Sequence, residues 1–233
     1  MNTQSYDLFS RVIPATGLGK FTQFPITRIF IALIFLLPIS ALSYFIGPEL
    51  YGNLPEPYLT ITARTRDVGL FLLFILAYGY FARIVEKRSP LELSGTKMFK
   101  EFGVGCILSI AIIGFMVTLM AALGFYRIDH LNSPMIVVNG IFRYGIASFL
   151  EELLFRVIIF KLVEEWAGSW IAVIVQGIIF GGMHAMNPNA SISSTIYLML
   201  SDMLLFGGGF MLTRRIWFIW GLHFYCLSLY RPL

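Results

Sequence analysis

Apolar residues run along this chain in long blocks, and the charged residues fall between the blocks rather than alternating with them. Stretches free of Asp, Glu, Lys and Arg cover 29–48, 68–82, 102–126, 166–201, 203–213 and 216–230. Each has the length of a helix or more, and about 20 apolar residues cross a bilayer. The 36-residue stretch 166–201 exceeds one crossing, and the turn-forming Asn187-Pro188-Asn189 divides it. A further apolar helix is predicted over 134–165, interrupted by Arg143, Glu151, Glu152, Arg156 and Lys161. The pattern predicts an all-α, polytopic transmembrane helical bundle of about seven spans. Residues 1–28 read as a cytoplasmic N-terminal segment, and 29–233 as a single membrane-embedded helical domain. The irregular approach to the first apolar block, with Pro14 and Pro25, reads as a retained helix rather than a cleaved leader.

Composition agrees with this pattern. With 58% hydrophobic residues and only 13% charged, the chain cannot cover a soluble globule with polar surface. The excess of 17 Lys and Arg over 13 Asp and Glu sits in short clusters between apolar blocks, which fits topology signals and not a nucleic-acid patch. One set holds Arg11, Lys20, Arg28, Arg83, Lys87, Arg88, Lys97, Lys100, Lys161, Arg214 and Arg215; the opposite set holds Arg64, Arg66, Arg127 and Arg231. The larger set is expected on the cytoplasmic side, which puts the N-terminus inside and suits a bacterial inner membrane. Cys106 and Cys226 both lie in apolar stretches and predict no disulfide framework.

Ionisable groups at membrane depth cost about 2.5–3.5 kcal/mol each on insertion scales, so each needs a reason. In Glu151-Glu152-Leu153-Leu154-Phe155-Arg156 the i to i+4 spacing puts Glu152 and Arg156 within ion-pairing reach. Glu151 points about 100° away, free of that partner. His184 follows Phe180 by four residues, and His223 lies in Trp220-Gly221-Leu222-His223. Counting helical rise from Lys161 as a boundary puts Glu151 about 15 Å deep; matching counts put His184 about 14 Å and His223 about 12 Å deep. At one level, a carboxylate and two imidazoles can bind and deprotonate a water, directly or through a metal ion. Gly177 and Gly181 form a small-xxx-small face for close helix packing, and Gly207-Gly208-Gly209 weakens the sixth span. Asp129 and His130 read as solvated loop residues.

Glu151-Glu152-x-x-x-Arg156, Phe180-x-x-x-His184 and Gly221-x-His223, in that order on separate spans, resemble the CPBP family of intramembrane proteases. That family includes the type II CAAX prenyl endopeptidases and the bacterial Abi proteins. The resemblance covers 90–227, with Glu92-Leu93-Ser94-Gly95 at its start. It implies an intramembrane endopeptidase acting on a prenylated or leader-bearing peptide or protein, with Glu151 as general base and His184 positioning the water. Glu152 and Arg156 would then shape and neutralise the site, and His223 would hold the oxyanion or complete a divalent metal site, with zinc as the expected metal. One position departs from the pattern. Leu227 stands four residues after His223 where the family usually has Asn or Asp, and leucine donates no hydrogen bond. Two other readings remain open: a proton- or ion-coupled transporter whose relay is Glu151, Glu152, Arg156 and Asp202, and a catalytically silent relative acting as a binding or immunity protein.

Overall fold

The computed structural model describes residues 17–51, 53–127 and 134–228, and among these it is helical throughout, with no strand. The helices are α1 (Gly17–Thr22), α2 (Pro25–Tyr51), α3 (Tyr58–Ile84), α4 (Met98–Ala122), α5 (Pro134–Glu152), α6 (Lys161–Ala167), α7 (Ser169–His184), α8 (Ile192–Ser201), α9 (Gly208–Thr213) and α10 (Ile216–Ser228). Two π-helical stretches join neighbouring helices: Leu153–Phe160 links α5 to α6, and Asp202–Gly207 links α8 to α9. Among the described residues three helices are long and apolar enough to cross a membrane: Tyr58–Ile84, Met98–Ala122 and the continuous Ile192–Thr213. Pro25–Ala41 and Ser169–His184 are shorter apolar helices. The α4 window is only 11% covered by protein, leaving Ile107 and Phe115 turned outward on a surface suited to lipid.

Turn chemistry fixes the helix ends. Gly168 adopts φ 87°, open to glycine at no steric cost, and reverses the chain between α6 and α7. The break at Asn187-Pro188-Asn189 falls in the loop after α7, and Ser191 then starts α8 with a capping box to Ser194.

The closest helix contact sets the position of α10. A Cβ on Gly221 would stand 2.2 Å from the Phe102 carbonyl oxygen, and one on Gly105 would stand 2.2 Å from that of Phe218. Here α4 and α10 touch backbone to backbone, which only two glycines allow. Trp220 lies beside this crossing, in ring contact with Phe71, Phe102 and Phe149, and its indole N–H donates to the Gly145 carbonyl of α5. The Gly177/Gly181 face receives Met203 and Met199, so small residues there seat large ones.

One end of the bundle holds a buried ionic network that corrects the sequence reading. Arg28 was assigned to the N-terminal segment and Lys161 to a cytoplasmic boundary; in the structure Arg28 lies inside α2, and both are buried. Arg28 pairs with Glu86 at 3.2 Å and Glu165 at 2.7 Å. Lys161 Nζ reaches Glu86 at 2.7 Å and donates to the Tyr78 hydroxyl at 3.0 Å. Arg88 pairs with Glu86 and Glu92, and Tyr78 donates to Glu92. Burial alone would raise the Glu92 carboxyl, but Lys161 and Arg88 outweigh it and hold it down at about 2. Arg214 pairs with Glu164 and Arg215 with Glu101, tying α9 and α10 to α6 and α4 at this same end. Hydropathy marks these cations as flanking charges but does not show that they are paired inside the protein.

Candidate active site

Four helical segments bring the sequence-predicted residues together. Glu151 and Glu152 end α5, and Arg156 lies one turn on, inside the first π-helical stretch. His184 ends α7 and His223 lies in the middle of α10. π-helical turns widen a helix, re-aim its side chains and occur often at functional sites.

His223 is the hub. Its Nδ1 lies 2.6 Å from Glu152 Oε1, and its Nε2 lies 3.6 Å from Glu151 Oε2. A carboxylate can only accept here, so Nδ1 carries the proton and Nε2 faces Glu151. Glu152 is fully buried, whereas the Glu151 side chain keeps 32% of its exposure. The sequence reading grouped Glu151 with His184 and His223, and the structure sets the His223 ring beside it.

Arg156 does not belong to Glu152 alone. Its Nε lies 3.2 Å from Glu152 Oε2, while its Nη2 donates to Asp202 Oδ1 from the other π-helical stretch. All three side chains are buried. The guanidinium also lies against the rings of Phe180 and Phe206, at 5.3 and 5.1 Å, a desolvated setting in which cation–π attraction is strong. Sequence reasoning placed Asp202 only in the relay alternative and passed over Phe206; an acid in an otherwise apolar helix was the available signal.

His184 stands slightly apart. Its Nδ1 lies 2.9 Å from the Phe180 carbonyl oxygen, which only accepts, so Nδ1 carries the proton and Nε2 is the basic nitrogen of the neutral ring. Phe180 links the two histidines, with ring centroids 4.4 Å from His184 and 6.2 Å from His223. Phe206 closes on His223 at 4.8 Å.

Among the described residues no group of three or more His, Cys, Asp or Glu that could hold a metal ion is found. Both Nδ1 atoms bond protein oxygens, which leaves the two Nε2 atoms as the available ring donors. The side chains of Arg143, Cys226, Leu227 and Ser228, and the loop with Asp129 and His130, lie outside the described residues.

No curated protein and no solved structure matches the chain. Residues 132–228, which carry every side chain of this site, match the family model of Rce1-like type II CAAX prenyl endopeptidases, and this similarity supports an intramembrane protease of the CPBP type.

Proposed function

We propose that the protein is an intramembrane endopeptidase in which Glu151 activates water for attack on a peptide carbonyl. The observation that carries this reading is the His223 ring set between two consecutive carboxylates, one buried and one open to water. Glu152 holds Nδ1–H and fixes the ring, much as a buried acid orients a catalytic imidazole. Nε2 is then left to meet the reacting centre beside Glu151. Glu151 takes the proton of the attacking water and returns it to the leaving amine. The Nε2 edge of His223 lies beside the reacting centre, where an Nε2–H formed during the reaction would donate to the developing oxyanion. His184 accepts from the water through Nε2 and orients it. No step runs through a metal.

The substrate we propose is a peptide or protein presented from the bilayer with a prenyl group or a leader segment. The membrane is bacterial and the N-terminus faces the cytoplasm. Leu227 withholds the donor that the family usually places one turn after the histidine, and this favours slow turnover or, as a second reading, a silent binding relative. The test is purified protein against two reporter peptides, one farnesylated at a C-terminal Cys and one bearing a leader. Cleavage of either by wild type and not by Glu151→Gln supports the proposal. Proton-coupled uptake into vesicles without cleavage would select the relay reading instead.

A further inference from the structure

The two π-helical stretches meet at one ion pair, Arg156 with Asp202, and each begins at or beside an acid of the cluster: Leu153–Phe160 follows Glu152, and Asp202–Gly207 starts at Asp202 itself. We infer that Asp202 is a positioning residue for His223, acting through Arg156 and Glu152. Arg156 touches two buried carboxylates, Glu152 and Asp202. Because its Nη2 is directed to Asp202, the Glu152 carboxylate meets it only edgewise at Nε and keeps Oε1 for the His223 N–H at 2.6 Å.

Without the Asp202 charge, the whole guanidinium attraction falls on Glu152. Its hold on the ring then weakens, and Nε2 swings away from Glu151. The geometry explains why an acid stands in a helix otherwise fit for lipid: it divides one arginine between two helices so that the neighbouring glutamate stays available to the histidine. The groups facing His223 are Glu151 and Glu152 from α5, Phe180 from α7 and Phe206 from the second π-helical stretch, so no other charged side chain of the described residues masks the effect.

The inference depends on the protease reading only in its kinetic arm, so the decisive measurement is spectroscopic. The chain has 3 histidines, and 15N-histidine NMR of the full-length protein in detergent, assigned by single His substitutions, resolves the Nδ1–H of His223. Asp202→Asn keeps an oxygen for Arg156 but removes the charge. It is expected to displace the His223 signal and leave that of His184 in place, while Asp202→Glu restores the wild-type signal. In the kinetic arm, Asp202→Asn lowers kcat roughly 10- to 100-fold, the scale of a small misplacement, with KM changed less than about threefold. That loss should vanish in a Glu152→Gln background. An unmoved His223 signal in folded Asp202→Asn, or a kcat loss of full size in the Glu152→Gln background, would overturn the inference. If Asp202→Asn does not fold, Asp202→Glu decides alone: a retained His223 signal supports the inference and a displaced one defeats it. If the wild type cleaves neither reporter, the protease reading falls and the NMR result still stands on its own.

Discussion

His223 Nδ1 lies 2.6 Å from Glu152 Oε1, so of two consecutive carboxylates one is buried and holds an imidazole while the other is partly exposed. This division of labour is expected to separate two otherwise identical substitutions. Glu151→Gln keeps the volume but cannot take a proton, and should lower cleavage at least about 100-fold, the lower end of general-base effects, with normal protein yield and melting temperature. Glu152→Gln strands Arg156 beside a neutral amide and should lower both activity and yield, because removing one partner of a buried pair costs about 3–5 kcal/mol. Wild-type cleavage by both variants would remove α5 from the chemistry.

Chelation is the second test. With no group of three or more His, Cys, Asp or Glu that could hold an ion among the described residues, cleavage is expected to survive EDTA and 1,10-phenanthroline within about twofold. Loss of activity on chelation, restored by added zinc, would show that the site rearranges around an ion.

The α4–α10 crossing gives the third. A methyl group at Gly221 meets a backbone oxygen that no side-chain rotation can relieve, so Gly221→Ala should destabilise the protein by about 1–3 kcal/mol and impair cleavage, since His223 lies two residues on. Gly182→Ala, where nothing lies within 4 Å, is the control and should leave melting in detergent unchanged.

The fourth concerns pH. Glu92 lies in the short turn between α3 and α4, and its carboxyl is held at about 2 in the folded protein, below its ordinary value. A carboxyl lowered on folding stabilises above the unfolded value, and that contribution is lost as pH falls through the folded one. Thermal stability in detergent should therefore lose the Glu92 contribution progressively between pH 4.5 and 2. Glu92→Gln should flatten that part of the profile while lowering stability at neutral pH. An unchanged slope in the variant would remove Glu92 as its source.

The helical class and the break at Asn187-Pro188-Asn189 were legible because apolar block length and turn chemistry are local properties of the chain. The grouping of Glu151 with His223 was legible from helical rise along separate spans, and the two side chains lie together. Partner choice was not legible. The i to i+4 rule pairs Arg156 with Glu152, but a guanidinium presents several donors, and Asp202, 46 residues further on, takes the best aligned of them. The partners of Lys161 were hidden for a related reason: a lysine at the end of an apolar block looks like a flanking charge whether it faces water or, as here, the acids Glu86 and Glu92. The π-helical stretches also left no trace in the hydropathy pattern, whose period is too coarse to register one added residue per turn.

The first long helix carries a debt that the end of the chain discharges late. Arg28 is in place at the start of synthesis, yet its acids Glu86 and Glu165 follow 58 and 137 residues later. Until α6 emerges from the ribosome, α2 holds an arginine whose neutralising set is incomplete, so it should linger at the membrane interface or beside the insertion machinery instead of settling into the bundle. Docking of α2 would then be a late event in biogenesis, timed by translation of residue 165. Nascent chains arrested before that point should leave a cysteine placed at Ile31 open to a water-soluble maleimide, and chains arrested well beyond it should protect that cysteine.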